Sequence, residues 1–149
     1  MKHLMMTLLF LLMAGQVAAQ QGLAVDELFS GKIVPKERME ETRVRGRMLA
    51  DYRMRLFHSV KCKVSSAELA KINAAMKRDM ESAGASTSMT YEKHGRTTTR
   101  MVQLGTTGKY YCYLCQKEVA DGSQWMVTVI YIESTVKSLA ELKKMFNNK

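Results

Sequence analysis

The stretch "YRMRLFHSVKCKVSSAELAKINAAMKRDMESAG", residues 52–84, changes from a strand period to a helix period at Ser65. Before that point, Tyr52, Met54, Leu56, Val60, Cys62 and Val64 alternate with Arg53, Arg55, Lys61 and Lys63. Side chains on an extended chain point to alternate faces, so this spacing predicts a strand with one buried and one solvated side. Phe57 interrupts the polar side and His58 the apolar side. After Ser65, Leu69, Ile72, Met76 and Met80 recur at helical spacing, and Gly84 is placed to end the helix. Ser65 and Glu68 have the spacing of a capping box, in which each side chain satisfies an amide that the first helical turn leaves free.

Towards the C-terminus the pattern predicts two hairpins and a closing helix. "SMTYEKHGRTTTRMVQL" carries β-branched residues on both sides of His94-Gly95, and "GTTGK" leads on to "YYCYLCQKEV". Asp121-Gly122 is a hairpin turn signal, and "QWMVTVIYIE" is rich in strand-forming residues. In "SLAELKKMF", Ser138 and Glu141 repeat the capping-box spacing. The expected fold is α+β: a mostly antiparallel, five-stranded sheet with two main helices packed on one face. Its order is β-α-β-β-β-β-α after a helical or irregular, charged N-terminal arm over residues 20–51. Residues 52–149 supply the sheet and its helices.

"YYCYLCQ", residues 110–116, contains the spacing C-x-x-C at Cys112 and Cys115. A reactive pair of this kind sits at a helix N-terminus, where the dipole lowers the thiol pKa. The flanking Tyr110, Tyr111, Tyr113 and Leu114 favour a strand instead. Residues three apart in a strand are roughly 10 Å apart and on opposite faces, whereas a disulfide needs Cα atoms within about 7 Å. The same geometry keeps both sulfurs from one metal ion, so no metal or other cofactor is expected. With three cysteines, at most one internal disulfide can form. If one forms, the expected pair is Cys62 with Cys112 or Cys115 across strands.

The first nineteen residues read as an export signal: Lys2 and His3, the apolar "LMMTLLFLLMA", then Val17 and Ala19 before Gln20. The apolar run is shorter than the ~20 residues a membrane-spanning helix requires. The expected mature protein is residues 20–149, one domain without a transmembrane segment, in the periplasm, at the cell surface or secreted.

The chain has 23 Lys and Arg against 14 Asp and Glu, a formal net charge of +9. Residues 32–63 hold ten of the basic residues against Glu37, Glu40, Glu41 and Asp51. This concentration makes Arg43, Arg45, Arg47, Arg53, Arg55, Lys61 and Lys63 the candidate anion- or partner-binding residues, with Phe57 as an apolar contact on the same face. Charge on the open side of a strand also occurs without a ligand, where it discourages edge-to-edge aggregation. For an exported chain the matching partners are an acidic glycan, lipopolysaccharide or an acidic protein, and not nucleic acid.

Motifs for catalysis are lacking. G-x-S-x-G, H-E-x-x-H and a phosphate-cradling glycine loop do not occur. The alternative to a binding protein is a small envelope hydrolase, assembled around His58 or from scattered carboxylates such as Glu92, Glu118 and Glu133. Methionines are dispersed, and Met54, Met76 and Met80 fall at core-facing positions, which suits gap-filling better than copper.

Two longer stretches carry a family resemblance: "ELFSGKIVPKERMEETRVRGRMLADYRMRLFHS", residues 27–59, and "VTVIYIESTVKSLAELKKMF", residues 127–146. On this pattern the chain resembles small exported proteins of Bacteroidota that form a family of unknown function. The resemblance implies an exported single domain, and it transfers no activity and no functional residues.

Overall fold

The computed structural model of the chain describes residues 23–82, 87–93, 96–104, 110–119 and 124–147. The signal segment 1–19, the stop at Gly84, the connector 105–109 and the turns at His94-Gly95 and Asp121-Gly122 lie outside the described residues. The architecture is α+β. A short helix α1 (Asp26–Phe29) and a 3₁₀ turn (Lys36–Arg38) lead into β1 (Met39–Arg45), and a second 3₁₀ segment (Arg47–Tyr52) leads into β2 (Met54–Ser65). Helix α2 (Ser66–Ser82) follows, then β3 (Thr87–Lys93), β4 (Arg96–Leu104), β5 (Tyr110–Glu118), β6 (Gln124–Ser134) and helix α3 (Leu139–Asn147).

The six strands form one sheet in the order β1-β2-β6-β5-β4-β3, and every neighbouring pair is antiparallel. Strands β3 to β6 are a meander, and β6 closes it against β2. Helix α2 must therefore carry the chain from β2 across four strand spacings, about 19 Å. Its seventeen residues span about 25 Å, enough to cross the sheet obliquely. The expected cap forms: Ser65 N–H donates to Glu68 Oε1 at 3.0 Å, and Glu68 N–H donates to Ser65 Oγ at 3.2 Å.

Along β2 the burial alternates without a break, with Met54, Leu56, His58, Val60, Cys62 and Val64 buried. From Leu56 onward this alternation sorts the core into two clusters, while Met54, before a register irregularity, joins the second. On one face Leu56, Val60, Cys62 and Val64 of β2 and Val127, Val129 and Tyr131 of β6 pack with Leu69, Ile72 and Met76 of α2. On the other face Met101 of β4 and Ile132 of β6 pack with Leu139 and Leu142 of α3, and the half-buried Phe57 joins them. The two main helices thus lie on opposite faces, not on one. The reason is parity: Ile132 neighbours Tyr131 in β6, so the two must point to opposite sides.

The strand count also differs from expectation. The sequence suggested five strands and an irregular arm, but residues 39–45 of that arm form β1 at the sheet edge. Only Met39 and Val44 of β1 are half-buried, and the other five residues are exposed. An edge strand that touches little core shows no apolar alternation, so its sequence gave no strand signal.

The segment before β1 is fastened to the α2 side of the sheet. Val25, Leu28, Phe29 and Val34 are buried in the main cluster. Arg38 donates to both carboxylate oxygens of Glu68 at 3.0 Å and to the Lys63 carbonyl at 2.9 Å.

Candidate functional site

The connection between β1 and β2 and the strand ends that flank it carry five of the predicted basic residues. Gly46 begins the connection at φ 90, ψ −154, a backbone conformation open almost only to glycine. Leu49 is buried in the second core cluster and anchors the 3₁₀ segment. Arg53 ends the segment in the left-handed region at φ 57, ψ 29, which disfavours a side chain with a Cβ. Its carbonyl is held by Ser134 Oγ at 2.7 Å and by Thr135 N–H at 3.1 Å. The segment is thus pinned to the end of β6 at one point and to the core at another.

Around this frame Arg43, Arg45, Arg47, Arg53 and Arg55 are all exposed. On the same segment Met48 is 79% exposed and Tyr52 is 41% exposed. Within this group the Arg53 guanidinium lies 3.6 Å from Glu141 of α3, an exposed pair that contributes little to stability. Arginine, tyrosine and methionine are the residue types enriched at protein interfaces, and arginine also grips carboxylate, sulfate and phosphate groups in bidentate fashion.

Not every predicted site residue joins this group. Lys61 and Lys63 lie six and eight positions beyond Arg55, roughly 20 Å or more along β2. Lys61 faces Glu40 across the β1–β2 ladder. Arg43 stands opposite His58, on the α2 side of the sheet, whereas Lys61 and Lys63 point to the other side. Phe57 is half-buried against the second cluster. The single basic face expected from strand alternation is therefore broken up: Arg45, opposite Leu56, shares the α2 side with Arg43, whereas Arg55 points to the same side as Lys61 and Lys63 and is separated from them by distance along β2. Sequence periodicity also assigned Tyr52 to the buried face of β2. The structure places it before the strand, and a register irregularity lies between Met54 and Leu56. Gly46 was the available signal, because it separates the charged stretch into a strand and a connection.

The cysteines behave as the strand reading requires, with one correction. Cys112 and Cys115 lie within β5, opposite Tyr131 and Thr128 of β6. Cys62 is a buried free thiol. Strand β6 stands between β2 and β5, so the expected disulfide from Cys62 to Cys112 or Cys115 would have to cross two strand spacings, about 9.6 Å. Burial pushes the Cys62 thiol up, with Arg38 pulling the other way. A thiol in that condition is a weak nucleophile. Among the described residues, no group of three or more His, Cys, Asp or Glu side chains gathers where a metal ion could sit. None of the described helices is long and apolar enough to cross a membrane.

The model of a family of unknown function, DUF6108, matches residues 12–146, nearly the whole length of the chain. The chain belongs to that family. No curated protein and no solved structure matches it. The match spans all six strands, so the pinned arginine segment lies inside the DUF6108 domain and not in an appendage to it.

His58 is the other residue singled out by sequence. In this DUF6108 domain it is 3% exposed. Its Nε2 is 2.6 Å from Glu41 Oε1, and its ring lies against Phe29 with centroids 4.4 Å apart. Burial holds its pKa below 6.5, while the Glu41 hydrogen bond opposes that effect and Arg43 and Lys36 add to it. A histidine whose folded pKa is depressed contributes full stability above its unfolded value and loses it as pH falls, because only the unfolded chain then takes the proton. The thermal midpoint should therefore decline from about pH 6.5 downwards, until His58 itself protonates in the fold. His58→Phe, which keeps a ring against Phe29, should flatten that decline. An unchanged slope in the variant would assign the pH dependence to other groups.

Proposed function

We propose that this DUF6108 chain is an exported, non-enzymatic binding domain of the periplasm or cell surface. Its contact surface is the arginine-rich connection between β1 and β2, and its partner is polyanionic: an acidic glycan, lipopolysaccharide or an acidic protein. One observation carries this reading. Met48, 79% exposed, is next to Arg47 on a segment flanked by Arg45 and Arg53 that buried Leu49 and the bonded Arg53 carbonyl fasten to the fold. Pre-ordering of this kind reduces the entropy lost on binding, and an exposed apolar side chain on an arginine-rich segment gives a contact that bare charge does not. Export is supported by the pattern of the first nineteen residues.

A hydrolase centred on His58 has weaker support. Glu41 occupies one ring nitrogen and Phe29 covers the ring, so a substrate would have to displace both.

The test compares two double variants with the same change of charge, on a heparin matrix as the polyanion. Arg45→Glu with Arg47→Glu should weaken retention roughly tenfold, about 1.4 kcal/mol. Lys61→Glu with Lys63→Glu should have a distinctly smaller effect. Equal loss in both would mean that only net charge is being read, and the arginine segment would not be a site.

A further inference from the structure

The geometry points to a two-fold dimer in which β1 of one molecule pairs antiparallel with β1 of a second copy, setting Thr42 opposite Thr42 and Glu41 opposite Arg43 of the other copy. Strand β1 ends the sheet and, among the described residues, pairs only with β2. Its seven residues, Met39–Arg45, read MEETRVR, and both acidic residues precede both basic ones. An antiparallel partner with the same sequence reverses that order, so the strand is complementary to itself.

Only certain registers keep the α2 sides of the two sheets together, because residues directly opposite must point to the same face. Among these, centring on Glu41 sets Glu41 against Glu41, and centring on Arg43 sets Arg43 against Arg43. Centring on Val44 sets Arg43 against Arg45. Centring on Thr42 avoids every like-charge opposition and creates two Glu41–Arg43 pairs beside a Thr42–Thr42 pair, combinations that favour cross-strand pairing. Glu41 can serve both contacts: its Oε1 holds His58, and the second oxygen remains for the arginine. An edge of this kind is protected from other strands by its charge yet matched to its own copy, and the resulting interface is isologous and closed. The pairing would extend the sheet to twelve strands and set Arg45 of the two copies roughly 20 Å apart, with the arginine connections beyond them at opposite ends of the seam. The dimer stands independently of what those arginines bind.

A seven-residue strand pair is smaller than a standard interface, so association is expected at roughly 100 μM and not at nanomolar levels. At that concentration, sedimentation equilibrium should give a weight-average mass about one and a half times that of the chain for the natural protein, rising towards twice as the concentration is increased. Arg43→Glu, which puts Glu41 opposite glutamate, should be monomeric. Glu41→Lys should be monomeric for the converse reason, and an equal mixture of the two should recover the dimer, since Glu then meets Arg at one position and Lys at the other. Because Glu41→Lys also removes the His58 contact, Thr42→Cys supplies a second measurement. Directly opposite strand residues lie within disulfide reach, so mild oxidation should yield a linked dimer from Thr42→Cys and none from Glu40→Cys. A monomeric natural protein, a dimer that survives Arg43→Glu, a mixture that stays monomeric, or equal linking at both cysteine positions would each overturn the proposal.

Discussion

Replacing Asp79 with alanine is expected to lower the unfolding free energy by about 3 kcal/mol in urea titration. Asp79 is an acidic residue of α2 that is only 2% exposed. Its carboxylate accepts the backbone N–H of Ala24 at 2.5 Å and that of Val25 at 2.9 Å. Burial raises its pKa above the usual carboxylate range, and those two hydrogen bonds oppose the rise. Alanine would leave both amides without their partner on a segment whose Val25, Leu28 and Phe29 sit in the main core. The neighbouring Arg78–Glu27 pair, 3.3 Å long and exposed on both sides, contributes little and cannot replace it. Asp79→Asn keeps one acceptor and should have a smaller effect. Faster amide exchange at residues 24–29 in Asp79→Ala would locate the loss. A change below about 0.5 kcal/mol, the range of an ordinary surface substitution, would mean that this carboxylate does not fasten the N-terminal segment.

Leu142→Ala should be as damaging, at about 3 kcal/mol. Leu142 is fully buried in the second cluster, where α3 covers Met101 and Ile132. Its removal opens a cavity between helix and sheet that the rigid strands cannot close. Lys144→Ala on the exposed side of the same helix should change stability by no more than about 0.5 kcal/mol. Near-equal effects in the two variants would mean that α3 is not docked on the sheet. The connection of α3 to β3, where Lys143 donates a hydrogen bond to the Tyr91 hydroxyl and stands 4.7 Å from its ring centroid, would then be a surface encounter only.

Much of the fold was readable from residue order, and the parts that were not have physical causes. Strand β2 and helix α2 declared themselves because each has one strongly apolar side and the Ser65–Glu68 cap marks the junction between them. The C-x-x-C stretch read correctly as strand because its neighbours are aromatic and offer no turn residue. Strand β1 was hidden, since an edge strand with five exposed residues carries no hydrophobic period. The face chosen by α3 was hidden too. The amphipathic pattern of a helix shows that it packs, but the side of the sheet depends on parity in β4 and β6. The candidate site was partly legible: charge density drew attention to residues 43–55, but extending strand alternation through Phe57 to Lys63 placed on one face residues that lie roughly 20 Å or more apart along β2. Exposed Met48 carries no sequence signal, because an unburied methionine looks like a buried one in one dimension.

The binding surface itself is tested most directly by mapping amide chemical shifts while a short heparin oligosaccharide is added to the isotopically labelled protein. Changes concentrated at residues 45–55 and nearly absent at Lys61 and Lys63 are the predicted result. Changes spread evenly over the lysines of β2 and α2, or none at residues 45–55, would contradict it.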